Sequence, residues 1–205
     1  MKLLKYTMLV GAVCAAFALQ PARADFISTL NVSNLGGQPG PFGTVNVSLS
    51  GQTATITFTA AGVYSFVDGS SAAVELNTSS FTEAFVSETP SGGFKQFAFD
   101  QQVDGFGNFD LAVDQKNSAV HVTSITFTVT NTDLANPWAS DADVLAFNEN
   151  GFDAAAHIFT PNGGGLTGFA AEGTGGHVPD GGATAALLGL GLAGLAGIRA
   201  RFGRK

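Results

Sequence analysis

An all-β fold, an antiparallel β-sandwich of two sheets packed face to face, is predicted by three observations. The middle of the chain is a series of short segments in which apolar and polar residues alternate with a period of two. Clusters of Gly, Pro, Asn, Asp and Ser separate those segments. No stretch ahead of Ala183 sustains a 3.6-residue apolar period. Strands with one polar face must bury the other, and two facing sheets accomplish that. A signal-peptide helix is expected before this body and a single transmembrane helix after it.

The chain opens with Lys2 and Lys5, an apolar run from Thr7 to Leu19, and Pro21-Ala22-Arg23-Ala24. A basic start, an apolar centre and a small-x-small end form a secretory signal peptide, so residues 1–24 are expected to be removed after Ala24. Cys14 would leave with it, and the bulky Val13 before it argues against a lipoprotein signal. The exported protein would then contain no cysteine and no disulfide framework.

Residues 25–172 are long enough for one domain with its own core. Within it, Ala54, Ile56, Phe58 and Ala60 alternate with threonines, as do Ile125, Phe127 and Val129. Val45, Val47 and Leu49 alternate with Asn46, Ser48 and Ser50. β-Branched and aromatic residues at this spacing suit a pleated, half-buried surface. Less regular strands are expected at 26–32, 63–67, 73–76, 82–86, 94–99, 109–113, 144–147 and 155–159. A short helix is the other option over 141–148. The Ile-Thr-Phe-Thr at 56–59 and 125–128 is shared, but such strands converge easily and no internal repeat is inferred.

Charge narrows the partners. Of 16 acidic residues all but Asp180 lie between Asp25 and Glu172, where the basic residues are Lys95 and Lys116 alone. A body this negative excludes nucleic-acid binding through phosphates and keeps copies apart in solution. It permits calcium or a cationic matrix, although no cofactor is assigned.

Candidate sites are few. Asp104, Asn108, Asp110 and Asp114 surround a glycine turn, where a hairpin with Asp and Asn capping the backbone accounts for them better than a metal. Asp141, Asp143, Glu149 and Asp153 cluster near Trp138, and a sugar-binding edge or calcium site is conceivable at Trp138, Asp141 and Asp143. Exposed acids and a buried tryptophan plug explain the same residues. His121, His157 and His177 lack zinc spacing, and no Gly-x-Ser-x-Gly elbow is present. No catalytic residue and no metal ligand is assigned. With 18 phenylalanines against one tryptophan, the aromatic residues favour core packing over a sugar platform.

Residues 173–177 form a glycine-rich linker to the tail, residues 178–205. Val178-Pro179-Asp180-Gly181-Gly182 precedes an uncharged run from Ala183 to Ile198, and Arg199, Arg201, Arg204 and Lys205 follow. A helix over the run would be roughly 24 Å long, short of a bilayer core of about 30 Å, with snorkelling arginines making up part of the difference. Six leucine and isoleucine residues favour insertion by about 2 to 4 kcal/mol together. The four cations act as a topology stop and place the C-terminus in the cytoplasm. Pro179 holds Val178 extended, and the two glycines keep the stretch open to a processing enzyme.

This tripartite tail resembles a PEP-CTERM sorting signal, in the variant that begins Val-Pro-Asp-Ser-Gly. Val178, Pro179 and Asp180 match the recognition motif, and Gly181 stands where the variant has Ser. The resemblance implies export by a bacterium, processing by an exosortase (a cysteine transpeptidase-like membrane enzyme) and an association with extracellular polysaccharide and biofilm. It covers the tail alone and implies no activity for the body.

Overall fold

The computed structural model describes residues 25–116 and 119–172, with the backbone of Val178–Pro179. The expected signal helix, linker, transmembrane helix and basic tail lie outside these residues, as does Asp180. The described residues form twelve strands, beginning with Phe26–Ser33 (β1), Gly43–Ser50 (β2), Thr53–Ala60 (β3), Ser65–Phe66 (β4), Ala72–Val74 (β5) and Phe81–Thr89 (β6). Phe94–Val103 (β7), Gly107–Gln115 (β8), Ser124–Asn131 (β9), Ala154–Thr160 (β10), Leu166–Glu172 (β11) and Val178–Pro179 (β12) complete them. The described residues include a 3-10 turn at Asp141–Asp143 and no α-helix.

The period-two segments became strands with the expected faces. In β3 Ala54, Ile56 and Phe58 are wholly buried while Thr53, Thr55 and Thr57 are half-buried on the other side. β9 repeats this beside it, with Ile56 opposite Phe127 and Phe58 opposite Ile125, so the two Ile-Thr-Phe-Thr segments are direct neighbours. On the outer face, hydroxyls of Thr53 and Thr130 lie 2.9 Å apart and those of Thr57 and Thr126 3.0 Å apart. Cross-strand threonine pairs of this kind add modestly to the ladder.

The sandwich expectation is corrected. All the strands belong to one antiparallel sheet in the order β6-β9-β3-β2-β1-β11-β10-β5-β8-β7, with β12 on β1 and β4 on β10. β1 joins what would have been two sheets. Its residues Phe26 to Leu30 pair with β2, and Leu30 to Ser33 pair with β11. The register shifts between Leu30 and Val32, a bulge of the kind that bends a strand and re-aims its remaining residues. The sheet therefore curls almost into a barrel. Its end strands β6 and β7 meet through phenylalanines, with Phe85 stacked on Phe94 at 4.0 Å and Phe81 against Phe99 at 6.2 Å. Alternation reports which face is buried and carries no information about which strand lies alongside.

The inner face holds the main core, including Leu30, Val47, Phe58, Leu111, Phe127 and Ile158. A second cluster, Ala73, Val103, Phe106, Phe109, Ala112, Ala155 and Ala171, covers the opposite face of β5, β8, β10 and β11. Loops close over it. Asn148 fastens them, donating to the carbonyls of Phe106 and Asn108 at 2.9 and 3.0 Å and accepting from the N–H groups of Asn150 and Phe152. Two expectations shift here. Residues 144–147 make a single bridge, Leu76 to Leu145, instead of a strand, and the helix considered over 141–148 shrinks to the 3-10 turn.

Candidate functional site

Trp138 stands in the loop between β9 and the 3-10 turn, where Asn136-Pro137 turns the chain. Its ring is 4 % exposed and belongs to the main core. The indole N–H donates to the Asn77 carbonyl at 2.9 Å. Gln52 holds the backbone of Trp138 from both sides, accepting its N–H at 2.8 Å and donating to its carbonyl at 3.0 Å. Asp141 is buried as well, and its carboxylate accepts the N–H of Leu49 at the end of β2. Asp143 caps the 3-10 turn from its own side chain, accepting from Ala139 N–H and Ser140 hydroxyl. These three residues are thus neighbours, but each is already occupied by the fold.

Around Trp138 opens a polar cleft of about 710 Å³, lined among others by Asn77, Ser79, Asp133, Asn136 and Asp143. Asp133 organises one wall. It accepts from Ala135 N–H, Asn136 Nδ2 and Ser79 hydroxyl, and these bonds, that of Asn136 foremost, hold its carboxyl below the usual range. Amide and hydroxyl groups set beside a negative charge suit a polyol or sugar ligand more than an apolar one. No property of the sequence joined Asn77 and Ser79 to Asp133, because they come from two loops more than fifty residues apart.

A second, smaller pocket of about 250 Å³ is lined by Glu75, Asp100, Asn108, Phe109, Asp110, Asn148 and Glu149. Burial first, and then the charge of Asp110, raises the Glu75 carboxyl to about 7. Two of the acids of the 104–114 stretch, Asp110 and Asp114, brace the backbone of neighbouring segments. Asp110 accepts Leu76 N–H at 2.9 Å, Asp114 accepts Ser70 N–H at 3.0 Å, and residues 104–106 form the turn between β7 and β8. His157 lies half-buried in β10, bonded to the Asp68 carbonyl and stacked on Phe169 at 4.5 Å. Among the described residues no group of three or more His, Cys, Asp or Glu is arranged to hold a metal.

A third feature had no sequence signal beyond the placing of Asp153 near other acids. Asp153 and Glu172 are 0 % and 2 % exposed, on neighbouring elements, with Ser28 Oγ donating to Asp153 Oδ1 at 3.4 Å. Burial, and then the adjoining Glu172, pushes the Asp153 carboxyl up to about 8.

At the sorting segment, the backbone of Val178–Pro179 is extended and pairs antiparallel with β1, Val178 opposite Ile27 and Pro179 opposite Phe26. Gly181 and Gly182, on which the expectation of an open stretch rests, lie outside the described residues. Arg199, Arg201, Arg204 and Lys205 lie outside the described residues, and among those described no helix is long and apolar enough to cross a membrane. Residues 177–202 match the VPDSG-CTERM motif. Neither a curated protein nor a solved structure matches the chain. The motif match identifies an exosortase-type sorting signal at the C-terminus, and with it an exosortase-type partner and export to the cell surface.

Proposed function

We propose that this exosortase substrate is a non-catalytic surface or extracellular-matrix protein, held in the membrane by residues 183–198 and cut near Val178-Pro179-Asp180. The observation that carries the reading is the match over 177–202, and the signal peptide expected over residues 1–24 accords with it. The span is short and glycine-laced, as suits a temporary tether, and the cations behind it would keep the C-terminus in the cytoplasm until cleavage. The processed protein would then join the exopolysaccharide or biofilm outside the cell. The body's heavy negative charge keeps it dispersed there. Mass spectrometry of the C-terminus of surface protein is the test. Loss of Lys205 with a new end close to Asp180 is expected; an intact Lys205 on all surface copies would overturn the proposal.

The polar cleft supports a second reading, in which the body binds extracellular polysaccharide at Trp138, Asp141 and Asp143. Trp138 would serve as its buried floor, Asp143 as a wall, and Asp141 as the brace beneath. Asn136→Ala and Ser79→Ala change the cleft without opening the core. Retention on the host polysaccharide that falls at least fivefold in these variants supports this reading, and retention unchanged in both refutes it.

A further inference from the structure

We propose that Asp153, Glu172 and Ser28 form a buried site for a hard divalent cation of the calcium class. The three residues sit at one end of three consecutive strands, β1, β11 and β10. Glu172 lies opposite Leu30, and Ser28 is two residues away from Leu30 on the same inward face. Asp153 immediately precedes β10, whose Ala155 pairs with Ala171, so its carboxyl arrives one position beyond the residue facing Glu172. Ser28 is 1 % exposed, and both carboxyl groups are sealed from water.

What these groups lack is compensation. Asp153 Oδ1 has the Ser28 hydroxyl, while Asp153 Oδ2 and Glu172 Oε2 are buried with no hydrogen-bond partner. The cations of the body, Lys95 and Lys116, are exposed, the first on β7 and the second just after β8, both beyond β5 in the sheet order. A carboxylate persists in a protein interior when it is paired, protonated or bound to a metal. One shared proton would bridge the two carboxyls and still leave the pair with a single buried negative charge. A divalent ion between them answers both charges. Carboxylate and hydroxyl oxygens are the ligands such ions take, with main-chain carbonyls or water completing a shell of six to eight.

Two carboxylates make a low-charge site, so the dissociation constant expected is on the order of 10⁻⁴ to 10⁻³ M, the range of extracellular calcium modules. The ion would clamp Glu172, the last residue of β11, to β1 and β10, and so secure the body at the end nearest the sorting segment. This inference stands on the body alone and is independent of how the tail is processed.

The test is calorimetric titration of the full chain in detergent, stripped with chelator, using calcium chloride alone, with thermal melts in parallel. One saturable equivalent is expected, along with a calcium-dependent rise in melting temperature. Asp153→Asn and Glu172→Gln should each weaken binding at least tenfold. Glu149→Gln, an exposed acid of the smaller pocket, should stay within about twofold of the parent. Should either buried-site variant fail to fold, the other and the parent melts decide the matter. Calcium binding that survives in the folded variants, or a parent chain with neither saturable heat nor a calcium-dependent melt, overturns the site. The second result would leave a proton-sharing pair, which Asp153→Asn would stabilise with or without calcium.

Discussion

Replacing Trp138 by alanine separates a core residue from a ligand platform, because the two roles move different measurements. Its ring is 4 % exposed among core residues, so truncation removes a large buried side chain and leaves a cavity. Such changes cost about 3 to 5 kcal/mol. The Asn77 carbonyl would also lose its indole donor at 2.9 Å, but Asn77 is exposed and water can replace that donor, so this adds no more than about 1 kcal/mol. For a body of this size each kcal/mol moves the melting temperature by about 2 to 4 °C, so a fall of roughly 6 to 24 °C is expected. Trp138→Phe keeps most of the volume and gives up the indole bond, and should lose about 1 to 2 kcal/mol. Far-UV circular dichroism melts and urea titrations of the full chain measure both, with an unchanged urea slope confirming that the same surface unfolds. A Trp138→Ala protein that melts within about 2 °C of the parent yet no longer binds polysaccharide would refute the reasoning and make the ring a stacking surface.

Glu75 has a carboxyl raised to about 7 in the folded state against an ordinary 4.5, so its contribution to stability is complete below pH 4.5 and is lost as pH rises to about 7. Glu75→Gln should flatten that part of the pH–melting curve, and an unaltered curve would count against the assignment. Gly43→Ala would place a Cβ 2.7 Å from the Thr59 carbonyl, forcing β2 and β3 apart at a cost of about 1 to 3 kcal/mol in urea titrations. Asp141→Ala strips the acceptor from the Leu49 N–H and should cost about 1 to 3 kcal/mol, whereas Asp141→Asn, which keeps an acceptor oxygen, should lose less than half as much. If Arg199, Arg201, Arg204 and Lys205 act as the proposed topology stop, glutamine at all four should give a smaller processed fraction by C-terminal mass spectrometry.

Local pattern made much of this molecule legible. The strands β2, β3 and β9 follow from alternation, since each needs only a polar and an apolar face, and the turn at Asp104-Gly105 follows from its residue types. Val144 to Phe147 misled because a short apolar run has no period of its own; Val144 and Leu145 reach the core from a loop while Phe147 is half exposed. His157 was readable as a half-buried strand residue from the alanines before it. For Trp138 the sequence offers both a sugar edge and a buried plug, and the partners that hold it in the core, Gln52 on its backbone and the Asn77 carbonyl on its indole N–H, come from far away in the chain.

From residues alone came the all-β class, the excess of negative charge, the C-terminal sorting signal and the expectation of a signal peptide. Each depends on composition or on spacing within a few residues, which a linear chain states outright. Tertiary structure decided that one curled sheet replaces two, because β1 changes partners across a bulge between Leu30 and Val32. It also decided that Ser28 meets Asp153 across 125 positions of sequence, beside Glu172 in the interior. Strand neighbours and the burial of charge arise from long-range pairing, and the period of a single strand is the same whichever strand it joins.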